Sequence, residues 1–388
     1  MKKLIFFTFI SLLFFSCSKD DELSNKRQRP NIIANKTIFM YLPWTGGNYD
    51  SGLYSAFMKN ISNVEKAIVT KQSYQATRTL VLIANSASSA TLFEIIYDKG
   101  KCWRDTLKQY TISETNEKSL TQYLADVKHF SPTPVYSMIM GAHGTGWIPK
   151  GTKLNRSRSI GGISAAQQYN ITEITNAIAN NGIKLEFLCF DDCYMANVEV
   201  AYELRQATNY IIASTSEIMD YGLPYHLIYQ YMAEQSPDYN AIINGFLSFY
   251  ATYSAPYGSL SVIDCAYSND IAAVLKKFNS SSATPPTADE VAGQDVFANH
   301  LFYDLGDYLK RYNAQITSIG QDTIEYSQII KHLIPFTGKT EKLYSGFLDA
   351  PYTYNVSAYS GITISDPSVN AAAIENKNKT NWWIATHQ

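Results

Sequence analysis

Histidine and cysteine stand at the ends of two stretches with the same build. The first runs Met138, Ile139, Met140, Gly141, Ala142, His143, Gly144, Thr145, Gly146, Trp147; the second runs Leu185, Glu186, Phe187, Leu188, Cys189, Phe190, Asp191, Asp192, Cys193. Each is an apolar run that reads as a buried strand, followed by a reactive side chain where the strand should stop. In one parallel sheet, His143 and Cys193 would meet at the carboxyl edge, where α/β folds hold their chemistry. A thiol attacks as its thiolate, and an adjacent imidazole can take the proton. Met195, Val198, Ala201 and Tyr202 recur at helical spacing, so Tyr194 reads as a helix start whose field favours the thiolate. Gly144 and Gly146 let the backbone approach a carbonyl, which makes the N–H groups of Gly144 and Cys193 candidate oxyanion donors. Acyl transfer is the sharpest chemistry these residues suggest. The plainer readings are a structural histidine in a glycine-rich turn and a core thiol.

The surrounding elements must bring the two ends together. Strands are expected over 37–41, 80–83, 135–140, 185–190 and 210–213, with 91–97 paired beside 80–83. Helices are expected over 51–68, 117–130 and 171–180 from apolar residues at near-helical period, and Pro224 suits the start of another. This alternation predicts an α/β fold, a mostly parallel central sheet covered on both faces. Ser214, Thr215, Ser216 and Glu217 follow the 210–213 strand on the edge of His143 and Cys193. They are expected to line a substrate cleft that residues 220–223 could close. His226 reads as a packing residue rather than a second base. Beyond them come a helix over 241–253, a strand over 259–265 and helices over 269–278 and near 301–309. Strands near 342–345 and 361–365 are expected to extend the sheet or to form an antiparallel accessory layer. The chain therefore divides into a leader over 1–16, a polar tether over 17–35, a core over 36–278 and a C-terminal α/β extension over 279–388 packed on it.

Composition excludes several function classes. Of 388 residues, 46% are hydrophobic and 17% charged, which suits one large core rather than a disordered or nucleic-acid-binding chain. The formal charge, 32 minus 34 or −2, points the same way. Six histidines lack the His-Glu-x-x-His or paired Cys-x-x-Cys spacing of a zinc site, and Gly46-Gly47 lacks a dinucleotide fingerprint. Asp304 and Asp307, three apart on a helix, could hold a metal or simply solvate a helix face. The five cysteines form no disulfide framework. Cys189 reads as core, while a pair among Cys102, Cys189 and Cys265 stays open.

The segment Gly141 to Trp147, with Asp191 to Cys193 and the following Met195, Glu199 and Ala201, resembles the clostripain-like cysteine peptidases, relatives of the gingipains, legumain, separase and caspases. The resemblance runs from Lys36 nearly to the end. It implies a caspase-like α/β/α sandwich with C-terminal additions, and a cysteine endopeptidase in which His143 and Cys193 match the catalytic pair. It also implies cleavage after Arg or Lys, because Asp191 matches the acidic residue with which these enzymes select basic side chains; the plainer role for Asp191 is a helix cap. In the resembled family the residue before the nucleophile is small, whereas here it is Asp192, whose charge would oppose a thiolate if it pointed inward. Strand alternation would put Asp191 and Cys193 on one face and Asp192 on the other. No cofactor is implied for the chemistry. Some relatives depend on calcium, and no calcium-loop pattern fixes a site for it here. The alternative function is a surface lipoprotein that binds peptide or glycan without turnover.

Two segments concern processing. Lys150, Lys153, Arg156 and Arg158 lie in the loop over 148–162 among Gly, Asn and Ser, which reads as an exposed basic loop. The resemblance makes each a candidate for self-processing between histidine and cysteine. Lys2, Lys3, the apolar 4–15 stretch and Ser16 read as a targeting segment, shorter than a membrane-spanning helix needs. Phe14-Phe15-Ser16-Cys17 resembles a bacterial lipoprotein signal with Cys17 as the lipidated residue. Ser18 to Glu22 resembles the acidic tether of outer-surface lipoproteins. These features imply the outer membrane, on the cell-surface side, with the periplasmic face as the alternative.

Overall fold

The computed structural model describes residues 30, 33–47, 52–73, 76–152, 160–252, 257–346 and 352–388. Cys17, Lys153, Arg156 and Arg158 lie outside the described residues. Its frame is a sheet whose central strands are apolar on both faces. In β1 (Lys36–Leu42) all seven residues are buried, Phe39 and Tyr41 in one apolar cluster and Ile38, Met40 and Leu42 in the other. Such strands need cover on both sides, and helices provide it.

After β1 come α1 (Tyr54–Lys71), β2 (Thr77–Ser86), β3 (Ser89–Asp98), β4 (Lys101–Thr111), α2 (Glu117–Phe130) and β5 (Val135–Gly141). The middle of the chain forms α3 (Ile171–Asn180), β6 (Leu185–Asp191), α4 (Val198–Leu204), β7 (Thr208–Ala213), α5 (Tyr225–Met232), α6 (Tyr239–Ala251), β8 (Ser259–Asp264) and α7 (Ser268–Asn279). The last part forms β9 (Tyr303–Asp304), α8 (Leu305–Ser318), α9 (Ser327–Leu333), β10 (Phe336–Lys339), β11 (Leu343–Ser345), β12 (Tyr352–Tyr354), β13 (Thr363–Ile364), α10 (Ala371–Asn376) and α11 (Asn381–His387). The sheet order is β10-β8-β7-β6-β5-β1-β2-β3-β4. Five neighbours, β7-β6-β5-β1-β2, are parallel, and antiparallel strands close both flanks. Residues of α1, α5 and α6 fill one apolar cluster; residues of α2, α3, α4, α7 and α8 fill the other. This is the α/β/α sandwich expected from the alternation.

The departures have local causes. β4, which the sequence reading missed, is an edge strand with Lys101, Arg104, Asp105 and Lys108 along it, and such charge hides a strand while protecting the edge. Of the two outcomes expected for the strands near 342–345 and 361–365, β11 and β13 follow the second, and the sheet is instead extended by β10, which was not expected. β10 extends the sheet beside β8, while β11–β12 and β9–β13 form separate antiparallel ribbons. α8 starts at Leu305 because Asp304 caps it, its Oδ1 accepting from the Asp307 N–H at 2.8 Å. Asp307 in turn accepts from the Ala292 N–H and pairs with Arg311, so the two acids are structural rather than a metal pair. Among the described residues no group of three or more His, Cys, Asp or Glu could hold a metal ion, and Cys102, Cys189, Cys193 and Cys265 are free. No helix of the described residues is long and apolar enough to cross a membrane.

Candidate active site

The parallel pairing of β5 and β6 matches Gly141 with Asp191. His143 and Cys193 therefore stand two residues beyond paired positions on one sheet edge. β1 pairs with β2 on one side and β5 on the other, so the chain reverses its direction of winding between β1 and β5, next to the β5–β6 pair. The two turns touch at Gly144. A Cβ there would lie 2.8 Å from the Cys193 carbonyl oxygen, 3.1 Å from Asp192 Cβ and 3.2 Å from Met195 Sδ. Only glycine admits that approach. Among the described residues, the Gly144 and Cys193 N–H groups donate to no protein acceptor, whereas the His143 N–H bonds to the Gly161 carbonyl at 3.1 Å and Gly161 N–H returns to His143 O at 2.9 Å. Gly161 thus fastens the backbone of His143 where the basic loop ends.

The Cys193 turn is shaped differently. Tyr194 has φ +59°, a left-handed conformation that is strained for a bulky residue. Its ring stacks on Phe302 at 5.1 Å, its Oη donates to Glu217 Oε1 at 2.9 Å, and its carbonyl accepts from Asn197 Nδ2 at 2.6 Å. Contrary to the sequence expectation, no helix begins at Tyr194. The N–H groups of Tyr194 and Ala196 are taken by the carbonyls of Ser216 and Ser214, and α4 begins at Val198 with Asn197 as its cap. The helix field expected to favour the thiolate is therefore displaced from Cys193.

The half-buried sulfur sits against the segment after β7. Ile218 N–H donates to Cys193 Sγ at 3.4 Å, and Sγ–H donates to the Ile218 carbonyl at 3.6 Å. Burial, then the Glu217 carboxylate, push the thiol well above its ordinary pKa. Ser214, Thr215 and Ser216 do not line an open cleft. They are buried, and their hydroxyls gather on Ser259 Oγ at 2.9, 2.9 and 3.3 Å. Glu217 accepts from Tyr194, Ser345 and Gly346. No local pattern points to these last two partners, because they lie far along the chain.

Asp191 and Cys193 also part company. β6 ends at Asp191, so strand alternation stops there; Cys193 packs on the cluster that holds Leu188 and Phe190, while Asp191 turns toward Tyr225 in the opposite cluster. The Asp191 carboxylate accepts from Leu223 N–H at 3.0 Å, Tyr225 Oη at 2.9 Å and Asn60 Nδ2 at 3.4 Å, and does not cap α4. Burial raises its pKa to about 6, with Tyr225 and Leu223 holding it down. A Cβ on Gly222 would fall 2.6 Å from Asp191 Oδ2, so only glycine lets the backbone pack this closely against the carboxylate, which is buried. Asp192 is 1% exposed, and among the described residues neither of its oxygens finds a hydrogen bond of good geometry. Burial and the neighbouring Asp191 push its carboxyl well above the usual range, and the Ala142 N–H opposes them without reversing the shift. The shift favours the uncharged form of Asp192, which lessens the charge it sets against the Cys193 sulfur.

The basic loop is described only at its ends. Lys150 Nζ reaches both Glu173 oxygens at 2.7 and 2.9 Å, while the N–H groups of Lys150 and Gly151 are held by Asn170 and Gln168. His226 packs edge-on to Phe249, as a packing residue should.

The model of the clostripain family matches residues 47–359. The chain is similar to a secreted C11 cysteine protease of Bacteroides thetaiotaomicron, "iotapain", with 36% identity, 92% of this chain and 100% of that one covered, and a TM-score of 0.81. An inactive zymogen C11 protease from Parabacteroides distasonis shares the fold at 22% identity and TM-score 0.76, covering 92% of this chain and 100% of that one. A clostripain from Bacteroides thetaiotaomicron ATCC 29148, in complex with the peptide inhibitor BTN-VLTK-AOMK, is 36% identical over 58% of this chain and 98% of that one, with a TM-score of 0.52. A comparison with curated proteins gave no match. With a caspase-like sandwich and a family match over most of its length, the chain belongs to the clostripain family of cysteine peptidases, whose chemistry needs no cofactor.

Proposed function

We propose that this peptidase hydrolyses polypeptides after Arg or Lys, with Cys193 as nucleophile and His143 governing its proton. The observation that carries the reading is the abutment of Gly144 on the Cys193 carbonyl at the ends of two paired strands, which brings the two turns into contact. Because the resting thiol is pushed up by burial, attack proceeds by general-base transfer to His143 rather than from a standing thiolate. Sγ bonds to the scissile carbonyl carbon as its proton passes to His143. The N–H groups of Gly144 and Cys193, which have no acceptor among the described residues, receive the developing oxyanion. Collapse returns the proton to the leaving amine, and water releases the acyl group from the thioester.

Asp191 supplies the preference for a basic side chain. It is the acid on the Gly222 side of the sheet edge whose charge survives at neutral pH, and a guanidinium or ammonium could pair with it. The peptide inhibitor in the complex of the similar clostripain, BTN-VLTK-AOMK, has a peptide that ends in Lys, in keeping with this reading. Self-processing falls after Lys153, Arg156 or Arg158, because Lys150 is already fastened to α3 and its cap Asn170, and the Gly151 amide to Gln168. Cys17 carries the lipid that holds the protein on the outer membrane.

A peptide library varied only at the residue before the cut bond, assayed on the full chain, Cys193→Ala and Asp191→Asn, tests the assignment. Basic residues should dominate, Asp191→Asn should lose them selectively, and Cys193→Ala should be inert. Preferential cleavage after apolar residues would sink the specificity. Mass spectrometry of the fragments locates the loop cut, and a cut after Lys150 would contradict the site given above. Retention of protein in the membrane fraction, lost in Cys17→Ser, tests the anchor.

A further inference from the structure

The Glu217 carboxylate joins two parts of the chain that the sequence keeps far apart. Its Oε1 accepts from Tyr194 Oη at 2.9 Å and from Ser345 Oγ at 2.5 Å, and its Oε2 accepts from Gly346 N–H at 2.8 Å. Tyr194 is the strained residue after Cys193; Ser345 ends β11, and Gly346 follows it. The β11 ribbon is itself anchored, since Tyr344 packs on Tyr257 at 4.7 Å and Thr340 bonds to the Gly258 carbonyl. The residue after Glu217 then brackets Cys193 Sγ with both its N–H and its carbonyl. Burying an acid is costly unless donors meet it, and here three donors from two distant regions do so.

We propose that Glu217 is a positioning residue for the reaction: it ties the β11–β12 ribbon to the nucleophile turn and fixes the Ile218 peptide against Cys193 Sγ. The C-terminal region is then part of the device that sets where the sulfur sits, and Glu217 acts through Tyr194 and Ile218 rather than by touching substrate. This rests on the reading of Cys193 as nucleophile. A misplacement of about 1 Å at a reacting atom can cost on the order of 100-fold in rate, so a carboxylate that fixes the turn acts mainly on turnover.

The test uses the full chain with Glu217→Gln, Glu217→Ala, Ser345→Ala and the double variant Glu217→Ala/Ser345→Ala. For each, kcat and KM for a basic peptide are measured separately, along with the rate at which iodoacetamide alkylates Cys193, localised by mass spectrometry. Glu217→Ala should lower kcat by about 30- to 100-fold with KM within about threefold, and Glu217→Gln, which keeps an acceptor oxygen, should recover most of the loss. Ser345→Ala should cost about three- to tenfold alone and nothing further on top of Glu217→Ala, because the two act as one unit. Losses that multiply in the double variant, or a Gln variant as poor as Ala, would overturn the proposal. Should Glu217→Ala fail to fold, Glu217→Gln with Ser345→Ala decides by the same rule of coupling against multiplication. Hydrolysis that survived in folded Cys193→Ala would remove the nucleophile instead, while the alkylation rates would still report whether Glu217 and Ser345 act together on that sulfur.

Discussion

The turns after β5 and β6 begin at paired positions of one sheet edge but reach their shapes by opposite means. The His143 turn depends on missing side chains: Gly144 lets the Cys193 carbonyl approach, and Gly146 takes φ +57° where a Cβ would meet Asn197 and Phe302. The Cys193 turn depends on side chains that are present. Tyr194 is held at φ +59° by Phe302 and Glu217 from distant parts of the chain and by Asn197 at the end of the turn itself. A turn made of glycines is carried by its own sequence, whereas one held by distant partners is carried by the whole fold. The first tolerates no added atoms and the second tolerates no lost contacts.

The largest effect expected is loss of the two reactive groups themselves. If the turns form one catalytic unit, Cys193→Ala and His143→Ala should each lower kcat by up to the order of 10⁶, and the double variant should be little worse than either. Losses that multiplied would mean that the two residues act separately, and the comparison of paired turns would have no catalytic meaning.

The contrast also explains what could be read from the chain alone. The helices at 117–130 and 171–180 match α2 and α3 because their apolar periodicity and capping residues are local; in α2, Asn116 and Ser119 cap each other. His143 announced itself through its glycines. The stretch after Cys193 misled because Met195, Val198, Ala201 and Tyr202 keep a helical spacing across a segment whose first amides bond to Ser214 and Ser216 instead. Apolar spacing says which residues are buried and not which backbone partner each amide finds. Ser214 to Ser216 looked like cleft residues for the same reason, since a strand end is legible while the inward turn onto Ser259 is not. The Glu217 to Ser345 contact, 128 residues apart, had no local signal at all.

Adding one carbon to the glycine turn is the next test. Gly144→Ala should push the Cys193 carbonyl aside, at a stability cost of about 1–3 kcal/mol for overpacking and a loss in kcat/KM on the order of 100-fold. Thermal melts read the first and steady-state kinetics the second. Near-normal activity would show that the turns are not in tight contact.

Charge separates the turns as well, since acids flank only the cysteine. The folded pKa of Asp191, about 6, lies above the ordinary 3.8, so the folded state holds the proton more tightly. Its stabilising contribution is present in full below about 3.8 and is lost as pH rises through about 6; the gap corresponds to roughly 3 kcal/mol. Urea unfolding between pH 4 and 7.5 should show the natural protein losing up to about that much relative to Asp191→Asn, which cannot charge. A bound basic peptide reverses the sign, because a cation beside the carboxylate favours its ionised form. Binding of such peptides should therefore tighten as pH rises through about 6 and stay flat in the variant. Identical pH curves for the two proteins would mean that Asp191 keeps an ordinary carboxylate.

The smallest expected effect tests the claim that side chains hold the cysteine turn. Tyr194→Phe keeps the ring on Phe302 and removes only the hydroxyl that donates to Glu217, so it should cost about 1–2 kcal/mol and about tenfold in kcat/KM. Tyr194→Gly is the opposing experiment. Glycine relieves the left-handed strain, which is worth about 1–2 kcal/mol, but it gives up a buried aromatic side chain worth more. The glycine variant should therefore be both less stable and less active than the phenylalanine variant, even though its backbone suits the turn better. Equilibrium unfolding and kcat/KM on the same preparations decide the order. If glycine proved the better substitute, the turn would be governed by backbone freedom after all, and the two strand ends would be built alike.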